Sequence, residues 1–131
     1  MSTSEPILRV LCVDDNQEAA DTLGVLLDLY GYRSLVCYDG ASALALAEEF
    51  GPDVAILDLS MPGMPGDELG RRLRGTNWGR SLPLVALTAL SDDEARERTA
   101  AAGFDLHLVK PVNPDRLANV LADIVILRGD D

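Results

Sequence analysis

The sequence contains no apolar run that approaches the ~20 residues needed to cross a lipid bilayer. Residues 1–6 are polar and carry neither the cationic nor the apolar part of a secretory signal peptide. Cysteine is limited to Cys12 and Cys37, which both lie in apolar runs, so we expect buried free thiols and no disulfide. These absences predict a cytoplasmic protein that does not associate with membranes.

Positive charge is also scarce. The chain has 11 basic against 22 acidic residues, which gives a formal net charge of −11. Lys110 is the only lysine, and the other basic residues are arginines. So acidic a surface repels nucleic acid and anionic lipid, and we therefore expect this chain not to bind nucleic acid.

The length and hydrophobicity of the chain suit one compact domain. Of its 131 residues, 47% are hydrophobic, which is ample for a single buried core. No long linker or low-complexity tract interrupts the sequence. We expect one domain over residues 1–131, with its core at about residues 7–127.

Five short apolar runs alternate with five amphipathic stretches. The runs predict strands at residues 7–13, about 33–38, 54–57, 82–87 and 104–109. Predicted helices follow each strand, at residues 17–30, about 40–50, about 67–74, 91–102 and from 114 onward. This alternation predicts an α/β fold with a five-stranded parallel sheet and helices on both faces.

Helix boundaries and buried faces can be read from several of these stretches. Asn16 and Asn113 are predicted N-caps, with Pro114 as the first residue of the last helix. Ser91 and Glu94 form a capping-box pattern, and Gly31 ends the first helix. The residues predicted to face the core are Leu23, Leu26, Leu27 and Tyr30 in the first helix and Leu117, Val120, Leu121 and Ile124 in the last.

Polar side chains that can carry chemistry follow four of the predicted strands. Asp14 and Asp15 come after the first strand, Asp58 after the third, Thr88 after the fourth and Lys110 after the fifth. In an open parallel sheet, ligands bind beyond the carboxyl ends of the strands, where the strand order reverses. We therefore expect these five residues to lie in one crevice.

The charges in such a crevice indicate a metal and a phosphoryl group. Three nearby carboxylates repel each other unless cations compensate, and a divalent cation together with Lys110 does so. Oxygen ligands with room for water favour Mg²⁺ over Zn²⁺. A phosphoryl group could complete the metal coordination, pair with Lys110 and accept a hydrogen bond from Thr88. A carboxylate can itself accept that group as an aspartyl phosphate.

Each of these residues is ordinary when taken alone, and only their joint occurrence favours a site. Other protein classes stay open at this point. An aspartate-nucleophile phosphatase carries an Asp-x-Asp motif after its first strand, whereas Asp14 and Asp15 are adjacent. A flavin-binding protein of similar fold needs a hydroxyl- and glycine-rich loop there. A domain of purely structural role, which never takes phosphate, has no need of the full residue set.

The sequence resembles the response-regulator receiver family of two-component signalling over about residues 9–127. The matching segments are Val10-Leu11-Cys12-Val13-Asp14-Asp15-Asn16, Leu57-Asp58-Leu59-Ser60-Met61-Pro62-Gly63, Leu87-Thr88-Ala89 and Val109-Lys110-Pro111. The resemblance implies a flavodoxin-like sheet with strand order 2-1-3-4-5.

The resemblance also implies roles for the site residues. Asp58 would be the phosphoryl acceptor, and Lys110 would contact the phosphoryl group, with a cis bond to Pro111. Mg²⁺, or Mn²⁺ in its place, would be held directly by Asp15, and Asp58 and the backbone carbonyl of Ser60 would also bind it. Asp14 would act on the metal mainly through water.

The resemblance further implies a conformational switch and residues that control how long the phosphoryl group persists. Thr88 would move toward the phosphoryl group and vacate space for the ring of His107. Single-domain chemotaxis receivers carry tyrosine at this position, whereas a histidine there resembles the receivers of hybrid kinases and some stand-alone receivers. The His107 ring could also sense pH. Ser60 and Leu90 would tune the phosphoryl lifetime. Leu90 cannot hydrogen-bond an attacking water, so we expect slow self-dephosphorylation.

The implied partners are a histidine kinase or a histidine phosphotransfer protein, and a downstream protein of unknown identity. The chain would catalyse its own phosphorylation and dephosphorylation and would not be an enzyme acting on other substrates. The donor would contact the first helix and the loop after the fifth strand. The fourth helix, fifth strand and fifth helix would form the face that changes. The sequence does not distinguish a stand-alone regulator from part of a hybrid kinase.

Overall fold

A computed structural model of the protein describes residues 8–89 and 93–128, in which five strands alternate with five helices. The strands are β1 (Arg9–Val13), β2 (Arg33–Cys37), β3 (Val54–Asp58), β4 (Leu84–Thr88) and β5 (Leu106–Val109). The helices are α1 (Gln17–Leu29), α2 (Gly40–Phe50), α3 (Gly66–Arg74), α4 (Asp93–Ala102) and α5 (Pro114–Arg128). No helix within these ranges combines the length and apolar character of a membrane span.

The strands form one parallel sheet in the order β2-β1-β3-β4-β5. The predicted fold class and strand order are therefore confirmed. β2 lies on one side of β1, and β3 lies on the other. The strand order therefore reverses at β1, between the carboxyl ends of β1 and β3. Ligand sites in open parallel sheets lie at that point.

Two apolar layers cover the sheet, one on each face. The first joins β-strand side chains to Leu23 and Leu27 of α1 and to the buried stripe of α5. The second packs Ala43 and Ala47 of α2 and Leu69 of α3 against the opposite face. Every residue of β3 and β4 is buried, because these central strands are covered on both faces. Asp58 and Thr88 are therefore the last residues of two strands that are buried along their whole length.

Short polar side chains begin three of the helices. Asn16 accepts a hydrogen bond from the Ala19 N–H at 3.0 Å, and Asn113 accepts one from the Arg116 N–H at 3.1 Å. Both predicted caps are confirmed. Asp39 caps α2 by accepting from the Ser42 N–H at 2.7 Å, and this cap was not predicted. The predicted capping box involves Ser91, which lies outside the described residues.

Several predicted boundaries were wrong by one or two residues. β4 begins at Leu84 and not at Leu82, because Pro83 has no N–H to extend the ladder, and it continues through Thr88. β5 begins at Leu106 and not at Phe104, whose N–H is bonded to Thr99 at the end of α4. The bounds of two further strands and one helix also differ from the predicted ones. β2 ends at Cys37, β3 includes Asp58 and α3 begins at Gly66, while Ile7 lies outside the described residues.

Tyr30 was wrongly assigned to the buried stripe of the first helix. It lies one residue beyond the last helical residue and its side chain is exposed. Its hydroxyl donates to the Pro114 carbonyl at 3.3 Å. The phenol therefore keeps a polar contact at the surface, where water also reaches it. Both cysteines are buried free thiols, as predicted.

Candidate functional site

Four neighbouring strands bring the predicted site residues to one edge of the sheet. Asp14 directly follows β1, Asp58 ends β3, Thr88 ends β4 and Lys110 directly follows β5. Asp14 and Asp58 are each only 3% exposed and Thr88 is 5% exposed. Buried polar groups need partners, because an unpaired one loses its hydrogen bonds to water.

Lys110 links the two buried carboxylates. Its Nζ lies 3.0 Å from Asp14 Oδ2 and 3.1 Å from Asp58 Oδ2. The other oxygen of each carboxylate is held by the chain two residues further on. Asp14 Oδ1 accepts from the Asn16 N–H at 3.0 Å, and Asp58 Oδ1 accepts from the Ser60 N–H at 3.1 Å. Both side chains are therefore fixed in orientation.

Asp15 completes a cluster of three carboxylates. One oxygen from each of Asp14, Asp15 and Asp58 lies within 4.8 Å of the others, and Asp15 is exposed to solvent. Hard oxygen donors beside open solvent suit Mg²⁺, which keeps several waters. The single ammonium of Lys110 does not neutralise three carboxylates. The donor set and its excess negative charge therefore fit a divalent cation.

Burial and neighbouring charges shift the pKa values of two residues of the cluster, Asp58 and Lys110. Burial, together with the nearby Asp14, raises the pKa of Asp58 to about 6, although Ser60 and Lys110 partly oppose this. Burial alone would lower the pKa of Lys110, but its contacts with Asp14 and Asp58 outweigh that effect and raise it. Lys110 is therefore charged at neutral pH, while ionised Asp58 is held at an energetic cost.

Thr88 and His107 line one groove of about 650 Å³ between α4, β5 and α5. The His107 Nε2 lies 2.6 Å from the hydroxyl oxygen of Thr99, which itself is 3.0 Å from the Arg96 carbonyl. Burial, and then the charge of Arg96, lower the pKa of His107. No sequence pattern indicates Thr99, because its contact with His107 depends on how α4 packs against the sheet.

The structure also reports on the remaining predicted site residues. The Lys110–Pro111 peptide bond is cis. Ser60 is exposed next to Asp58 and has its N–H bonded to that carboxylate, while its role as a carbonyl ligand stays a prediction. Leu90 lies outside the described residues. An ion pair that was not predicted joins Arg98 of α4 to Asp67 of α3 at 2.8 Å.

The family model of the response regulator receiver domain matches residues 10–122. The chain belongs to this family. The match includes each of the four strand ends that form the site. Receiver domains act as phosphoacceptor switches in two-component signalling and bind Mg²⁺ in an acidic site.

Two curated relatives show how such a domain is embedded in longer proteins. The chain is 39% identical over 123 residues to the virulence sensor protein BvgS of Bordetella pertussis, covering 90% of this chain and 10% of BvgS. It is 36% identical over 124 residues to the DNA-binding response regulator MtrA of Mycobacterium leprae, covering 94% of this chain and 53% of MtrA. The chain thus spans about half of one relative and a tenth of the other.

Solved receiver structures share the fold over nearly the whole chain. The chemotaxis protein CheY4 of Vibrio cholerae is 32% identical, with a TM-score of 0.87, covering 91% of this chain and 99% of that one. The receiver domain of the sensor histidine kinase PA1611 of Pseudomonas aeruginosa is 29% identical, with a TM-score of 0.83, covering 92% and 98%. Its structure has a magnesium ion coordinated in the active site cleft.

Proposed function

We propose that Asp58 accepts a phosphoryl group from the phosphohistidine of a histidine kinase or histidine phosphotransfer protein, with Mg²⁺ bound beside it. The observation that carries this proposal is the contact of the Lys110 Nζ with both Asp14 and Asp58, at 3.0 and 3.1 Å, in a cluster of three carboxylates. Phosphoryl transfer needs positioned oxygens and cationic charge, and this arrangement supplies both.

In the proposed step, a carboxylate oxygen of Asp58 attacks the phosphorus atom of the phosphohistidine. The new phosphorus–oxygen bond forms as the phosphorus–nitrogen bond breaks, and the imidazole leaves with the electron pair. The Ser60 N–H and Lys110 hold the two Asp58 oxygens before attack. Lys110 then pairs with the phosphoryl oxygens, and Thr88 donates its hydroxyl to one of them. When bound, Mg²⁺ neutralises the charge that accumulates on the phosphoryl oxygens.

The donor would dock beside α1. A groove of about 610 Å³ runs from Asp14 and Lys110 along the apolar side chains of α1 and the loop after β5. Its apolar walls include Leu23, Leu26 and Val112. A helix that carries the phosphohistidine could bury its apolar face in this groove while its imidazole reaches Asp58.

The switch would act through Thr88 and His107. Both side chains line the groove between α4, β5 and α5, so a movement of Thr88 toward a phosphoryl group would leave room for the ring. The contact of His107 with Thr99 joins that ring to α4. Phosphorylation would then shift the populations of two arrangements of this face, where the downstream protein binds.

The phosphoryl group would be long-lived, because the apolar Leu90 does not orient a water for attack. Phosphoryl loss is followed in the wild type and in Leu90→Glu after the donor is removed. Faster loss from the variant is expected, and equal rates would dismiss the idea. Ser60 is the second position proposed to tune this lifetime.

We further propose that residues 1–131 act as a single receiver domain in the cytoplasm. That this chain does not bind nucleic acid also stays a prediction. It rests on the net charge of −11, whereas MtrA, a relative of about twice this length, is a DNA-binding protein.

The proposed acceptor is tested with acetyl phosphate and Mg²⁺, by mass spectrometry of the intact protein. Wild type should gain one phosphoryl group, and Asp58→Asn should gain none. Asp123→Asn is the matched control, because Asp123 is an exposed aspartate on α5, away from the cluster. Phosphoryl uptake by Asp58→Asn, or uptake by wild type that survives chelation of the metal, would contradict the proposal.

A further inference from the structure

The first residue of α3, Gly66, lies against the backbone of Asp58. A Cβ atom placed on Gly66 would be 2.2 Å from the Asp58 carbonyl oxygen, 2.7 Å from its carbonyl carbon and 3.0 Å from the Cα of Leu59. The Gly66 N–H also donates to the Leu59 carbonyl at 3.2 Å. Helix α3 therefore begins in direct contact with the peptide that follows the proposed acceptor.

Backbone conformation does not explain this glycine. The described glycines with positive φ are Gly31, Gly51, Gly63 and Gly103, and Gly66 is not one of them. In a helix, alanine is favoured over glycine by about 1 kcal/mol. Because helical propensity would favour alanine here, the close approach to Asp58 is what requires glycine.

The Asp58 backbone, which lies against Gly66 in this contact, is held in place by the sheet. Asp58 ends a strand that is buried throughout and paired with β1 and β4. If the end of β3 shifted, the Asp58 carboxylate would move relative to Lys110 and Asp14. If the start of α3 shifted instead, it would pull on residues 59–65, including the Ser60 N–H that holds Asp58 Oδ1. Either movement changes the site.

We propose that Gly66 is a positioning residue for the metal and phosphoryl site, because its missing side chain lets α3 hold the Asp58–Ser60 segment in place. This inference rests on the proposed function of that site. A Cβ at Gly66 must move from 2.2 Å to at least 3.0 Å from the Asp58 oxygen, a shift of about 0.8 Å. Mg²⁺ requires near-octahedral ligands at about 2.0–2.1 Å, so a shift of that size disrupts its coordination.

The chain offers a steric control at the other end of the same helix. A Cβ on Gly79, in the loop between α3 and β4, would lie 2.1 Å from the Leu73 carbonyl oxygen. Gly79→Ala thus creates a clash as severe as Gly66→Ala, but against residues at the opposite edge of the sheet. Gly75→Ala is the mild control, because its nearest contacts would be 3.4 Å.

The test measures Mg²⁺ affinity by isothermal titration calorimetry, and unfolding by urea with far-UV circular dichroism, for wild type and the three variants. Gly66→Ala should weaken Mg²⁺ binding by about tenfold or more, the usual effect of losing a group that orients metal ligands. Gly79→Ala should lose stability but stay within about twofold of wild-type Mg²⁺ affinity. Gly75→Ala should change neither quantity appreciably.

The outcomes separate this inference from the proposed function. If wild type does not bind Mg²⁺, the proposed metal site itself is wrong. If wild type binds Mg²⁺ and Gly66→Ala binds it equally well, only the positioning role is overturned. An equal loss in Gly66→Ala and Gly79→Ala also overturns it, because general destabilisation then explains both. If Gly66→Ala is unfolded, all titrations are repeated in trimethylamine N-oxide, which favours the compact state.

Discussion

Replacing Asp58 with asparagine should make the metal-free protein more stable, although it removes the proposed phosphoryl acceptor. The pKa of Asp58 is raised from 3.8 to about 6, chiefly by burial and then by Asp14. The folded state therefore favours the neutral carboxyl group and is destabilised when Asp58 ionises. Asparagine is neutral and has nearly the same shape, and its oxygen can still accept the hydrogen bond from the Ser60 N–H. Its NH2 group then replaces the oxygen that faced Lys110, which keeps its contact with Asp14.

The magnitude follows from the two pKa values. Unfolded Asp58 ionises near pH 3.8 and folded Asp58 near pH 6, so the folded state binds more protons between these values. Wild-type stability then falls as pH rises through this window and is constant above it. The stability of Asp58→Asn does not decrease in this way, because asparagine does not ionise. The part of its advantage over wild type that depends on pH should be about 1 kcal/mol at pH 4.5 and about 3 kcal/mol at pH 7.5.

The assay is urea denaturation in the presence of a chelator at both pH values, with Asp123→Asn as the control. Addition of Mg²⁺ should then stabilise the wild type by about 2.7 kcal/mol at a concentration 100 times its Kd, and should stabilise Asp58→Asn much less. If Asp58→Asn is no more stable than wild type at pH 7.5, or if its advantage does not change with pH, the electrostatic reasoning is wrong.

Three further changes test the same network. Lys110→Met leaves the two buried carboxylates without their cation, so we expect a loss of about 1–3 kcal/mol in urea unfolding at pH 7.5 and at least about tenfold slower phosphoryl uptake; an unchanged urea midpoint would argue against the pairing. Thr99→Val should cost about 1 kcal/mol through the lost hydrogen bond to His107, while phosphoryl uptake on Asp58 stays near wild type. The pKa of His107 is lowered by burial, so protonation of His107 should lower the stability of wild type relative to His107→Phe as pH falls below the unfolded value of about 6.5, while the contribution of Asp58 is common to both proteins; equal changes in the two proteins between pH 7.5 and pH 5 would refute this.

The sequence predicted the fold well because its strands and helices alternate without interruption. Branched apolar runs gave the five strands, and the caps at Asn16 and Asn113 gave two helix starts. The errors lie at boundaries, as at Leu82, where pairing with a neighbouring strand decides the first residue of the ladder. Tyr30 was misplaced because helical periodicity does not reveal where the helix stops.

The residues that meet at the candidate site could be predicted from the sequence, but the distances between them could not. Asp14, Asp58, Thr88 and Lys110 each stand at the end of a strand, so a parallel sheet had to bring them to one edge. Which carboxylates Lys110 contacts, and how far burial shifts the pKa of Asp58, depend on distances of a few tenths of an ångström. No local pattern records such distances.

The amino-acid sequence by itself determined which residues share the crevice, because regular alternation of strands and helices predicts a parallel sheet and these residues stand at the carboxyl ends of its strands. Only the tertiary structure decided that His107 contacts Thr99 and that α3 begins against the Asp58 backbone. These contacts join side chains and backbone from separate elements, and they arise only when the two faces of the sheet are packed.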